Sequence, residues 1–159
     1  MPIPAVNAEK LGKKYGDFTA VGGLDLRIEE GEVFALVGPN GSGKSTTLKM
    51  ISTILFPTSG RVEVFGADTV GEPEKVRKTI SYLPEEAGAY KNLSGHEYLD
   101  FMASVFLRDR EKAAAAVKYG SELSGLRDKL KDKIGTYSKG MTRKLLLSRA
   151  VMIRPRLAI

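Results

Sequence analysis

An α/β core followed by a helical subdomain is the fold this 159-residue sequence predicts. Two observations carry it. Over the first half, short apolar or alternating runs are interleaved with stretches of helical periodicity, and a glycine-rich loop sits between one such run and a helix. From Glu86 onward only helical periodicity remains. Strand, loop, helix, strand, helix, strand is the order of a mostly parallel sheet.

The elements follow in order. In "GLDLRI", Leu24, Leu26 and Ile28 alternate with Asp25 and Arg27, as in a half-buried strand. "EEGE" at 29–32 reads as a turn. "VFALVG" at 33–38 is wholly apolar and predicts a parallel strand covered on both faces. "KSTTLKMISTIL" at 44–55 places Leu48, Ile51 and Leu55 at helical spacing, and "FPTSG" ends that helix. "RVEVFG" predicts a strand, "EPEKVRKT" a short helix and "ISYLPE" a strand. "SGHE" at Ser94–Glu97 is a capping box opening a helix to about Leu107, which makes His96 a surface helix residue. A second helix runs from about Arg110 to Leu123 and ends near Gly125; a third, short one carries Leu126, Leu130 and Ile134. A fourth follows Ser138 and stops before Pro155, which disfavours helix at Arg154. "PRLAI" returns the chain toward the core. The expected division is 1–85 α/β core, 86–153 helical subdomain and 154–159 the start of another strand.

Composition bounds the function classes. Hydrophobic residues are 42% and charged residues 28%, ordinary for a globular domain. With no cysteine, neither a disulfide framework nor a thiolate metal site can form. The opening residues lack the continuous apolar stretch of a secretory signal, and no run approaches the ~18 apolar residues of a membrane span. The net charge of +6 permits attraction to a polyanion, but signs alternate along segments such as "LRDKLKDKIG", as on a solvated helix face.

"GPNGSGKST", Gly38 to Thr46, matches G-x-x-x-x-G-K-[ST] between an apolar run and an amphipathic helix. Chance places those four fixed positions in roughly one chain of this length in a few hundred. Through Asn40, Gly41, Ser42 and Gly43 the small residues let successive backbone N–H groups turn toward phosphate oxygens. The following helix aims its positive end at the same anion. Lys44 supplies a mobile charge to the β- and γ-phosphates, Ser45 a hydroxyl for Mg²⁺, and Thr46 is placed to reach an α-phosphate oxygen. Several nucleotide-binding families share this loop, so alone it does not choose between kinase, GTPase and transport ATPase.

"YSKGM", Tyr137 to Met141, precedes the helix "TRKLLLSRAVMIRP", with Ser138 as its N-cap. Together with the phosphate loop and the helical insert between them, it makes the chain resemble the nucleotide-binding domain of an ABC transporter, of the drug- or multidrug-export type, whose phrases "LPEE" and "YSKGM" stand at 83–86 and 137–141. The resemblance covers essentially the whole chain. It implies a P-loop NTPase core with a helical subdomain, and ATP and Mg²⁺ as cofactors. Tyr15 in "KKYG" matches the aromatic that stacks on adenine. Glu85 stands where most of the family has a glutamine that contacts Mg²⁺ and the attacking water. Ser138, Lys139, Gly140 and Met141 match the signature motif, which caps the γ-phosphate of a second nucleotide-binding domain in a head-to-tail dimer. Tyr137, Lys139 and Met141 depart from the commonest signature, L-S-G-G-Q; Lys139 adds positive charge near a γ-phosphate, whereas a carboxylate at Glu85 ligates Mg²⁺ but repels phosphate.

The resemblance further implies that "PRLAI" runs on into an Asp–Glu pair. The general-base Glu is then expected beyond Ile159, no catalytic residue lies in the chain, and the core is C-terminally truncated. Such a chain is expected to bind ATP and hydrolyse it poorly, and a shortened central strand to leave unpaired edges. The implied partners are a second nucleotide-binding domain and a separate transmembrane permease, docked around Glu86–Tyr90 and the helical subdomain; the implied place is cytoplasmic, peripheral on the inner face of the membrane. No nucleic acid is expected. An ABC-type ATPase acting on nucleic acid or ribosomes is the alternative that the charge permits, though no aromatic-interleaved basic patch supports it. A nucleotide-binding fragment without activity of its own is a third reading.

Overall fold

The computed structural model describes residues 2–159, which form two compact units, one of residues up to Ile80 with Ile159, the other Ser81–Ala158.

In the first unit, β1 (Val6–Tyr15) and β2 (Phe18–Ile28) form a hairpin closed at Gly16–Asp17, with Tyr15 opposite Phe18 and Val6 opposite Ile28. With β3 (Ser59–Val64) and β4 (Ala67–Asp68) they make a four-stranded sheet in the order β2-β1-β3-β4, every pair antiparallel. This corrects the expectation of a mostly parallel sheet: tight turns join β1 to β2 and β3 to β4, and a short turn permits only antiparallel pairing. β1 escapes a reading by periodicity because its alternation breaks: Lys10 adopts φ 47, pairing with β3 skips from Glu9 to Gly12, and the burial of Val6 and Ala8 resumes at Leu11 and Gly12. The displaced Lys10 amide donates to Asp25 Oδ1 at 2.7 Å, so the bulge leaves no orphan donor.

α1 (Lys44–Ile51) ends four residues before the predicted Leu55. Thr53 turns left-handed (φ 61), which no helix continues through; Ile54 is exposed in consequence. α2 (Pro73–Arg77) starts with proline in the first turn.

"VFALVG" at 33–38 is a second correction. It is irregular, with Val33 and Val37 almost fully exposed, because none of the strands among the described residues pairs with it. An apolar run specifies a buried strand only where a neighbouring strand supplies the ladder. The strand predicted over 80–85 is likewise confined to β5 (Ile80–Ser81), which pairs with β6 (Leu157–Ala158) from "PRLAI".

The second unit is helical. α3 (Gly95–Phe106), α4 (Arg110–Ser124) and α5 (Lys139–Val151) pack around Tyr98, Leu99, Ala103, Val117, Leu145, Leu146 and Met152. α4 is capped by Asp109, whose Oδ1 accepts from the amides of Glu111 and Lys112, and it ends at the left-handed Gly125, as predicted. The predicted third helix is instead two 3₁₀ turns, Arg127–Lys131 and Ile134–Thr136. Leu126, Leu130 and Ile134 are buried at the spacing of a helix face, but Arg127 at φ 50 and the extended Asp132 interrupt the backbone.

α3 begins at the predicted capping box. Ser94 Oγ accepts from Glu97 N at 3.2 Å and Glu97 carboxylate accepts from Ser94 N at 2.7 Å. Ser94→Ala is expected to cost about 1 kcal/mol, read as a shift in the urea midpoint at unchanged slope. The Ser94 amide, and then its hydroxyl, hold the Glu97 carboxyl below the usual glutamate range. A lowered folded-state pKa contributes stability that is present above the unfolded value and disappears as pH falls through the lowered one. Glu97→Gln should flatten that acid limb.

Candidate functional site

The loop predicted to hold phosphate wraps the N-terminus of α1. Gly43 occupies its N-cap with φ 85 and offers no side chain to the first-turn amides, which stay available to an anion. A Cβ at Gly43 would overlap the Ala20 carbonyl oxygen and approach Val21 Cγ2 to 2.9 Å, so only glycine lets the loop lie this close to β2. Gly41, at φ 82, turns the preceding peptide the same way. Lys44 Nζ folds back into the loop, donating to the carbonyl oxygens of Gly38 and Pro39, each at 2.7 Å, and lying 3.5 Å from Ser42 Oγ. Those carbonyls hold an ammonium that an incoming phosphate can recruit. Beneath them lies a cavity of about 480 Å³ lined by Val21, Gly22, Val37, Gly38, Ser42 and Lys44, among others.

Asn40, Gly41, Ser42, Gly43, Lys44, Ser45 and Thr46 therefore come together on one loop and helix start, with Asn40 and Ser45 exposed and Thr46 half-buried. Among the described residues no cluster of three or more His, Asp or Glu side chains is placed to hold a metal. The Ser45 hydroxyl is an oxygen donor of the kind Mg²⁺ takes when phosphates and water complete its shell. Tyr15 ends β1, half exposed, with Lys13 Nζ 5.3 Å from its ring centroid.

In the second unit Ser138 caps α5: its Oγ accepts from Met141 N at 3.2 Å and its carbonyl from Thr142 N at 2.9 Å. Lys139 and Gly140 are exposed at the helix start, while Met141 packs onto the helical core. Two residues that periodicity does not single out fix this end. Tyr137 Oη donates to Lys129 O at 2.6 Å, and a Cβ at Gly95 would collide with the Tyr137 hydroxyl, so Gly95 makes room for it. Arg143 Nη1 donates to the carbonyl of Glu85 at 3.1 Å, tying "LPEE" to α5. The Glu85 side chain is exposed, in the unit that does not contain Ser45. His96 is exposed, as predicted. The sequence signal for Tyr137 and Arg143 is their position beside the Ser138 cap and one turn into its helix.

Comparison with known proteins places this geometry. The family model described as ABC transporter matches residues 21–159. The daunorubicin/doxorubicin resistance ATP-binding protein DrrA of Streptomyces peucetius is 39% identical over 158 residues, which is 97% of this chain and 47% of that protein. A solved ATP-binding subunit of an ABC transporter has a TM-score of 0.83 at 26% identity, covering 97% of this chain and 64% of its own. An ATP-binding cassette solved as a dimer in a post-hydrolysis state with ADP and Pi shares the fold, with a TM-score of 0.81 at 23% identity over 96% of this chain and 72% of its own. The chain thus spans about half the length of the curated relatives it matches.

Proposed function

The chain belongs to the ABC transporter family, and on that premise we propose that it is the ATP-binding part of a subunit that couples ATP binding and hydrolysis to export. The observation that carries the reading is the loop over Gly38–Thr46, where uncapped amides, the left-handed Gly41 and Gly43 and the Lys44 ammonium share one loop and helix start, beside a cavity that Gly38, Ser42 and Lys44 line.

The residues divide the work. Amides of the loop and the first turn of α1 take the phosphate oxygens, and Lys44 leaves the Gly38 and Pro39 carbonyls to neutralise the β- and γ-phosphates. Thr46 takes the α-phosphate. Ser45 would hold Mg²⁺, which when bound would offset phosphate charge. Tyr15 takes the adenine. The division of labour proposed is 1–85 holding nucleotide, 86–153 carrying the signature and 154–159 opening a further strand. No carboxylate of the chain is assigned as general base, so residues 1–159 are proposed to bind ATP and turn it over poorly. Displacement of a fluorescent ATP analogue tests the phosphate reading: ATP and ADP should compete far better than AMP, which reaches Tyr15 and Thr46 but not Lys44. Equal competition by AMP would count against it.

Two partners are proposed. The first is a second nucleotide-binding domain, whose γ-phosphate would meet Ser138, Lys139 and Gly140 at the start of α5; a solved cassette of this fold is a dimer. The second is a transmembrane permease subunit, through which the chain would lie on the inner face of the membrane; a solved structure of this fold is part of an ABC transporter complex. Its docking surface is proposed as the aromatic patch of Tyr90 and Phe101, whose rings meet edge-on at 5.8 Å beside exposed Val105 and Phe106. Amide exchange over 86–110 should slow when the permease binds; unchanged exchange there would contradict the docking surface.

A further inference from the structure

Lys13 is not a free surface lysine. Its Nζ donates to the carbonyl of Phe56 at 2.7 Å and stands 5.3 Å from the centroid of the Tyr15 ring. Among the described residues it makes no ion pair, so the contact with the ring is not weakened by a competing carboxylate there. The Phe56 carbonyl is itself held. It lies in the loop after α1, where Thr58 N donates to Gly12 O at 2.8 Å and Lys14 N donates to Thr58 Oγ1 at 3.1 Å. Three hydrogen bonds thus fasten the 56–58 loop along the last residues of β1. The ammonium sits where backbone atoms put it rather than where a flexible stem wanders.

Tyr15 remains 50% exposed. A cation fixed toward an aromatic ring does two things. It restricts the ring's rotamers, and it draws on the ring's electron density, which favours stacking of an electron-rich base on the open face.

We infer that Lys13 is a positioning residue for the nucleobase: anchored on the Phe56 carbonyl, it holds the Tyr15 ring in the orientation that stacks adenine. The inference rests on the assignment of Tyr15 to the base. It predicts discrimination between a ligand that has a base and one that has only phosphates.

The test compares dissociation constants of Mg²⁺·ATP and Mg²⁺·tripolyphosphate for the purified protein and three variants. Lys13→Met keeps the stem and removes the charge; it should weaken ATP about two- to fivefold, the range of a single exposed cation–π contact. Tripolyphosphate should bind as before. Lys13→Arg keeps a cation and a donor and should retain most of the ATP affinity. Tyr15→Ala should weaken ATP and spare tripolyphosphate. Unchanged ATP affinity in Lys13→Met, equal losses for both ligands, or equal losses in the Met and Arg variants would overturn the inference while Tyr15→Ala still discriminates. A Tyr15→Ala variant that does not discriminate would overturn the assignment of Tyr15 itself, and the role of Lys13 with it.

Discussion

Gly60→Ala is expected to abolish cooperative folding of the sheet, or to cost at least about 3 kcal/mol where folding survives. Gly60 lies in β3 at φ 69, a backbone region that side chains rarely adopt. A Cβ there would also fall on the carbonyl oxygens of Glu9 and Lys10. Those carbonyls cannot retreat, because they belong to the β1 bulge, and the Lys10 amide is committed to Asp25 on β2. Strain and steric overlap act at one point, where three strands are pinned together. The control is Gly16→Ala in the hairpin turn: its φ is 56, but nothing lies within 4 Å of the added methyl. That variant should lose only about 1 kcal/mol, the left-handed penalty by itself. Thermal melts by circular dichroism separate the two. Equal melting of both variants would remove the claim that the bulge and Gly60 form one interlocked feature.

Lys44→Ala is expected to weaken Mg²⁺·ATP by about ten- to a hundredfold, the range of a charge-assisted hydrogen bond removed from its partner. The loss has a second source. Lys44 Nζ also staples the loop through the Gly38 and Pro39 carbonyls, so the variant must order that loop as it binds. Faster amide exchange across the loop in nucleotide-free Lys44→Ala would reveal this part. Arginine is not a conservative replacement here: its planar fork is wider than an ammonium and cannot tuck between two carbonyls of a nine-residue turn.

The contrast between the two glycine-dependent features shows what the sequence makes legible. The loop over Gly38–Thr46 matches a motif whose contacts are mostly local: Lys44 reaches the carbonyls of Gly38 and Pro39 and Ser42 N donates to Pro39 O, while only the fit of Gly43 against β2 is remote. The same holds for the Ser94 and Ser138 caps, whose partners lie three residues on. β2 and β3 were legible in "GLDLRI" and "RVEVFG", but the rest of the sheet was not, for the opposite reason. β1 hides its period behind the bulge at Lys10, and Gly60 is explained by carbonyls about fifty residues earlier in the chain. "VFALVG" misled because apolarity records a strand's demand for neighbours and not their presence. Arg143 and Lys13 act through backbone carbonyls 58 and 43 residues away, and no side-chain pattern announces such an acceptor. The helical unit lies between these cases: its buried positions follow the periodicity, while the break at Arg127 comes from a backbone angle that composition does not encode.

Calorimetric titration of Mg²⁺·ATP into the chain and into Lys44→Ala, side by side, tests the central claim that Gly38–Thr46 holds the nucleotide phosphates. Saturable heat with one site per chain, sharply weakened in the variant and returning to baseline after each injection, is the predicted result. Equal affinity in the two proteins, or steady residual power that survives loss of Lys44, would contradict it.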